Sequence, residues 1–230
     1  MSSFLKSPAR KLTADQKQLI SLGRGLVRED VAGVLMDEPL TVIDPDLKFR
    51  LRRNLKEINE QYKTTLVYVT HDQNEAMTFA DNIIVMDQGE IVQVGLPKDL
   101  FEKPRTTFVG YFIGSPAMNL FNSQILSDNS LKFNNDTIKT RTDLSKIKNK
   151  NVKLGIRSEF IKIATDQKEN VVNVKVTRVE DLGNYKLITA KMGDFTIKSK
   201  VTRETEIPSQ DVKLHIPAEK CCVYENNKLI

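Results

Sequence analysis

The sequence predicts an α/β fold for the first half of the chain and an all-β fold for the second. Three observations carry that prediction. Two short apolar runs, at 34–36 and 64–70, lie on either side of a helix-patterned stretch and end in ionisable residues. Apolar residues recur at helical spacing around them. From about residue 113 the pattern changes to short alternating segments separated by polar turns, which reads as a small barrel or sandwich.

The elements follow in order. Residues 15–28 set Leu19, Leu22, Leu26 and Val27 on one helical face. Val34-Leu35-Met36 suits a buried parallel strand. Asp44-Pro45 is a helix start, an N-cap followed by proline at the first helical position. The helix it opens carries Leu47, Leu51, Leu55, Ile58 and Tyr62 along one stripe. Residues 64–70 are β-branched and apolar, a second strand. Residues 75–81 form a short helix. Residues 82–87 and 90–94 flank Gln88-Gly89, a hairpin signal, and Pro97 opens a last short helix to Glu102. Phe112-Ile-Gly-Ser-Pro116 is the junction, which divides the chain into 1–112 and 113–230. Strands are then expected at 152–156, 171–179, 187–191, 196–201 and 212–216.

Bulk properties narrow the function classes. A length of 230 residues can bury a sizeable core, and 40% hydrophobic with 28% charged residues is a globular composition. No run of about 18 apolar residues occurs, so no membrane-crossing helix is expected. Residues 1–10 carry no secretory leader pattern. The two cysteines, Cys221 and Cys222, are adjacent and form no spaced disulfide framework, which points to two packed thiols in a reducing, cytoplasmic setting. The net charge of +5 comes mostly from the second half, in stretches such as Lys146-Ile-Lys-Asn-Lys150, with acids interspersed. That is the pattern of a solvated lysine-rich face. A nucleic-acid-binding β domain would offer stacking aromatics beside its charge. Here only Phe160, Tyr185 and Phe195 are candidates and tryptophan is absent, so no nucleic-acid partner is expected.

The most specific chemical feature is Val34-Leu-Met-Asp37-Glu38-Pro39, a strand that ends in two carboxylates. Ligands of parallel sheets sit at the carboxyl ends of strands. Asp37 could hold Mg²⁺, because hard cations prefer oxygen, and Glu38 could deprotonate a water attacking a phosphoryl group. Read alone, the pair equally fits a strand end whose acids cap the next element. The second strand, Val67-Tyr-Val-Thr70-His71-Asp72, ends in one of only two histidines. Two strands with phosphate-type chemistry at their ends, one helix apart, strengthen the functional reading.

These residues carry a family resemblance. Leu12-Thr-Ala-Asp-Gln16, Asp37-Glu38-Pro39, Leu40-Thr-Val-Ile-Asp44 and Thr70-His71-Asp72-Gln73 stand in the order and spacing of an ATP-binding-cassette (ABC) ATPase. They resemble its signature motif, Walker B segment, D-loop and switch histidine. Tyr68-Val-Thr-His-Asp-Gln73-Asn-Glu-Ala-Met77, Phe112-Ile-Gly-Ser-Pro-Ala-Met-Asn119, Leu154-Gly-Ile-Arg157, Val179-Glu-Asp-Leu-Gly183 and Ile216-Pro-Ala-Glu-Lys-Cys221 are similar to the maltose and glycerol-3-phosphate importer group. The resemblance implies the later part of a P-loop NTPase domain followed by an OB-type (TOBE) regulatory domain. It also implies roles: Asp37 assists Mg²⁺, Glu38 is the general base, and His71 contacts the γ-phosphate and the attacking water. Thr13 and Gln16 meet nucleotide, and Asp44 lies at a dimer interface. The cofactors implied are ATP and Mg²⁺. The implied partners are a second ATPase subunit, two membrane permeases and, indirectly, an external solute-binding protein, with the chain peripheral on the cytoplasmic membrane face.

Two departures from the family pattern stand out. No G-x-x-x-x-G-K-[ST] string occurs, and none of the ten glycines precedes a lysine. That loop cradles phosphates with backbone N–H groups, so these residues by themselves are expected not to bind ATP. The signature-like string has Ala14 and Asp15 where the family prefers glycines. Asp15 places a carboxylate at a helix start, where it suits its own helix but repels a phosphate. The leading expectation is therefore an importer ATPase subunit that is incomplete as it stands. The alternative is a non-catalytic regulatory subunit docking on a full ATPase.

Overall fold

The computed structural model describes residues 7–28, 31–208 and 211–230. Residues 1–6, which belong to the stretch read as lacking a leader, lie outside the described residues. The chain divides into two compact units, Met1–Ala80 and Asp81–Ile230. No helix among the described residues is long and apolar enough to cross a membrane.

In the first unit, helix α1 (Ala14–Leu26) precedes strand β1 (Gly33–Asp37), helix α2 (Pro45–Tyr62), strand β2 (Thr65–Val69) and helix α3 (Gln73–Phe79). Strands β1 and β2 pair in parallel, with Leu35 opposite Val67 and Asp37 opposite Val69. A parallel pair needs a crossover of a dozen or more residues, and α2 supplies it. Helix α2 starts where the sequence places it: the Asp44 side chain accepts from the Asp46 N–H (3.0 Å) and Pro45 is the first helical residue. It stops at Lys63, whose backbone turns left-handed (φ 52°). Of its predicted stripe Leu55 is buried, whereas Tyr62, in the last turn, is 63% exposed. The core of this unit is thin. Met36, Leu40, Ile43 and Leu55 are its buried apolar side chains among the described residues, and α1 buries none. Leu35 is 81% exposed, and Val67 and Val69 on the same sheet are also exposed.

The second unit opens with the hairpin β3 (Ile83–Asp87) and β4 (Glu90–Gly95). Its turn is Gln88-Gly89, both at positive φ (48° and 84°), the conformation that tight hairpin turns require. Two short helices follow, α4 (Pro97–Glu102) and α5 (Thr107–Phe112). Next come β5 (Asn119–Ser127), β6 (Ser130–Phe133), β7 (Asp136–Lys139), β8 (Asn151–Ile156), β9 (Lys162–Ile163), β10 (Val171–Asp181), β11 (Tyr185–Met192), β12 (Phe195–Thr202), β13 (Asp211–His215), β14 (Cys222–Glu225) and β15 (Lys228–Leu229). They form a six-stranded sheet in the order β15-β14-β8-β5-β6-β7 and a five-stranded sheet in the order β12-β11-β10-β13-β9. Phe121, Phe133 and Leu154 of the first sheet share one core with Val172, Ile188, Ile197 and Leu214 of the second. The fold is thus an α/β part and a β-rich part, as the sequence patterning implies.

Arg157, at the end of β8, is 1% exposed. Its guanidinium donates to the carbonyls of Phe101 (2.9 Å), Gly110 (2.8 Å) and Ile113 and lies over the Phe101 ring, 4.5 Å from the centroid. Gly114 makes room for it: a Cβ there, at φ 107°, would stand 2.7 Å from Nη1. This clamp joins the two short helices to the β core. Cys221 and Cys222 are free thiols, and burial pushes both upward, Cys221 to about 12. They are packed groups, and the raised pKa leaves little thiolate at neutral pH.

Candidate functional site

The carboxyl ends of β1 and β2 are adjacent because the strands run parallel in register. Glu38, the first residue past β1, extends that pairing by donating its N–H to the Val69 carbonyl (2.9 Å). Its backbone then turns left-handed at φ 46°, an uncommon conformation for a residue with a side chain. On the neighbouring strand His71 stands two residues beyond Val69, and the two side chains meet. The His71 ring Nδ1 lies 2.5 Å from Glu38 Oε1, and the His71 N–H donates to the same oxygen (3.0 Å). The Thr41 hydroxyl donates to Oε2 (2.8 Å). From α1, Gln18 Nε2 donates to the Glu38 carbonyl (3.1 Å). The strand end, the loop after it, the second strand and α1 all converge on one residue.

Several influences set the acidity of Glu38. Burial, the largest single one, works to raise it. The Thr41 hydroxyl, the His71 ring and N–H, and the charge of His71 outweigh burial and hold the carboxyl below its ordinary value. Glu38 is therefore an ionised acceptor at neutral pH. In the neutral ring, an ionised Oε1 facing Nδ1 favours the proton on Nδ1, which leaves Nε2 as the acceptor. The pair can hold a water or a phosphate oxygen in two ways, through the carboxylate or through the outer edge of the imidazole.

Asp37 closes β1 and is exposed. Mg²⁺ keeps several waters and takes one or two carboxylates together with substrate phosphates, so a single exposed carboxylate fits it as a partial ligand. No group of three or more metal-binding side chains is gathered among the described residues. Asp44 is exposed as the N-cap of α2. Thr13 and Gln16 are occupied with their own helix: the Thr13 N–H donates to Gln16 Oε1 (3.2 Å), and the Thr13 hydroxyl donates to Asp15. That hydroxyl is the main reason the Asp15 carboxyl sits below its ordinary value. The site therefore joins Glu38 and His71, keeps Asp37 beside them, and leaves Thr13 and Gln16 in a local cap. Sequence reasoning missed Gln18, Thr41 and Glu75. Thr41 and Glu75 lie within the family-like strings, whereas nothing in the sequence marks Gln18.

Residues 114–161 match the MalK OB fold domain family. The chain is 35% identical over 218 residues to the trehalose/maltose import ATP-binding protein MalK of Thermococcus litoralis, covering 90% of this chain and 58% of that protein. This chain is similar to import ATP-binding proteins. It is also 34% identical to the oligosaccharides import ATP-binding protein MsmX of Bacillus subtilis, over 92% of this chain and 60% of the relative. The sn-glycerol-3-phosphate import protein UgpC of Pectobacterium atrosepticum is 34% identical, over 97% of this chain and 63% of the relative. The chain thus spans about three fifths of the length of the import ATP-binding proteins it matches. The solved molybdate-binding protein ModG overlaps 46% of this chain and 94% of its own at 15% identity and a TM-score of 0.39, too loose a match to carry an argument.

Proposed function

We propose that this chain supplies the later part of an importer ATPase site, together with a regulatory β domain, and powers uptake of a sugar or a glycerol-3-phosphate-like solute. The observation that carries this reading is the contact of Glu38 with His71 at the ends of two adjacent parallel strands. A family likeness that spans most of the chain supports it. The working division is a catalytic part over 1–112 and an OB-type regulatory part over 113–230.

In this reading Glu38 takes the proton of the attacking water. Its ionised state suits a proton acceptor, and releasing Oε1 from His71 frees the oxygen that receives the proton. His71 then orients the water and a phosphate oxygen. Asp37 holds Mg²⁺, Thr13 and Gln16 approach nucleotide, and Asp44 faces a partner ATPase subunit. Bound Mg²⁺–ATP supplies the electrophilic phosphoryl group and neutralises its charge. The phosphate-cradling loop comes from polypeptide outside these 230 residues. The assembly is a dimer under membrane permeases on the cytoplasmic face, fed by a solute-binding protein.

One observation favours a second reading, a regulatory subunit without hydrolysis of its own. The Thr13 hydroxyl and Gln16 are committed to the cap of α1, where Asp15 adds a negative charge. A phosphate approaching that helix start meets a carboxylate instead of open N–H groups.

The test is reconstitution with the phosphate-loop-bearing part of a relative. Under the catalytic reading the mixture hydrolyses ATP, and Glu38→Gln lowers kcat by roughly 100-fold or more while nucleotide binding persists. Hydrolysis that is indifferent to Glu38→Gln sinks the catalytic reading. A mixture no more active than its separate parts supports the regulatory one.

A further inference from the structure

Glu75 is the buried charged side chain of the first unit, 4% exposed among the described residues. In the sequence it stands at the start of a short helix, within the family-like string Tyr68–Met77. Its two oxygens face two different elements. Oε1 meets Arg52 Nη1 (3.3 Å) and Lys48 Nζ (3.6 Å), which stand one turn apart on α2. Oε2 accepts from the Tyr68 hydroxyl (2.8 Å) and the Thr70 hydroxyl (3.1 Å) at the end of β2. The Thr70 hydroxyl in turn accepts from the Asp72 N–H (3.0 Å). The residues immediately before and after His71 are therefore both tied, through Thr70, to one buried carboxylate. The other end of that carboxylate is tied to the helix that Asp44 opens.

We propose that Glu75 is a positioning residue that transmits the placement of α2 to His71 and so sets whether the imidazole reaches Glu38. The inference rests on the reading of Glu38 and His71 as the working pair. The physical argument is one of connectivity. A buried carboxylate must have its charge and its lone pairs satisfied, so it moves with its partners or loses them. The path runs from Asp44 at the start of α2, through Lys48 and Arg52, to Glu75, Thr70, His71 and Glu38. Lys48 and Arg52 pair with Glu75, Glu75 accepts from Thr70, and His71 meets Glu38, all at 3.6 Å or less, while Thr70 and His71 are joined through the backbone. Replacing Glu75 by glutamine removes the charge that holds two cations and leaves one acceptor oxygen where there were two. The loop then loses its tie to the helix, while the apolar packing of α3, including the Tyr68–Phe79 ring contact (5.2 Å), is untouched.

The experiment is nitrogen NMR of the histidine rings in the full chain at about pH 8.5, well above the ordinary imidazole value of about 6.5. His215, on β13 of the other unit, is the internal reference. The wild-type protein should show separate protonated and unprotonated ring nitrogens for His71, with the proton on Nδ1. Glu75→Gln and Thr70→Val should each collapse that separation towards an exchange-averaged pair. Tyr68→Phe, which removes a donor from the same carboxylate without touching the loop, should leave it intact. Backbone amide spectra establish that each variant is folded, and Thr70→Val decides the matter if Glu75→Gln is not. A fixed Nδ1–H ring in a folded Thr70→Val variant overturns the proposal, as does an equal loss in all three variants. The catalytic reading fails separately. If hydrolysis ignores Glu38→Gln while the ring signals respond as described, Glu75 still positions His71 and only the hydrolytic role is lost.

Discussion

Glu38 concentrates the chemistry of the first unit in one side chain. Three donors reach its carboxylate, two of them from His71. Because its folded acidity lies below the unfolded value, the stabilisation it gives is fully present above the unfolded value of about pH 4.3 and is lost as pH falls through the lower folded value. Carbon NMR of the side-chain carboxyl should therefore show a midpoint below about 4.3, and His71→Ala should move it upward. A midpoint unchanged by His71→Ala would mean that the histidine contributes nothing to the pair. At this scale the sequence places two carboxylates and a histidine at strand ends and is silent about the contact between Glu38 and His71. Asp37, Glu38 and His71 are legible because acids and a histidine at strand ends are rare in apolar surroundings. The capture of Thr13 and Gln16 by their own helix was not legible, since a hydroxyl and an amide serve a cap as readily as a ligand. Glu75 escaped notice because its partners lie 5 to 27 positions away and only the crossover brings them together.

Among the elements, α2 illustrates a helix written plainly in sequence. Asp44 caps it and Pro45 opens it, as the dipeptide implies. Asp44→Ala should cost about 0.5–2 kcal/mol of stability in the first unit, measurable by urea denaturation followed by helical circular dichroism. A change below a few tenths would show that the cap is satisfied elsewhere. The strands β5, β6 and β7 were harder to see. Their turns are Asn- and Asp-rich, and β6 and β7 are four residues each, too short for alternation to register. The long strands β10, β11 and β12 were visible and extend only a residue or two beyond their predicted limits at most ends. Arg157 is the element-scale surprise, because a guanidinium buried against carbonyls looks like any surface arginine in sequence. Arg157→Met should leave the Phe101, Gly110 and Ile113 carbonyls without their donor. The expected cost is about 1–3 kcal/mol for each carbonyl that water cannot reach, read as a lower melting temperature of the β-rich unit. An unchanged melting temperature would show that water takes over the role.

At the scale of the molecule the two units differ in how well they are filled. The first has four buried apolar side chains among its described residues, and one face of its two-stranded sheet, including Leu35, lies open. The second unites two sheets around a single core of aromatic and branched side chains. Burial of apolar surface is the main favourable term in folding, so the units should not melt together. Urea denaturation should show two transitions, with helical signal lost in the first and sheet signal in the second. A single coincident transition would mean that the two units fold as one. The sequence conveyed the change of grammar between the halves but not this imbalance, which depends on how much of each apolar stripe finds something to pack against.

The open face of the β1–β2 sheet has a consequence for the life of the protein in a cell. A unit that opens often presents its backbone to proteases, and abundance then follows the fraction of time spent closed. Any polypeptide that covers Leu35, Val67 and Val69 lengthens that time. Molecules left without such cover should be trimmed towards the β-rich remainder. In the assembly proposed above, degradation would then act as a proofreader, and Glu38 and His71 would survive mainly in molecules whose open face is covered.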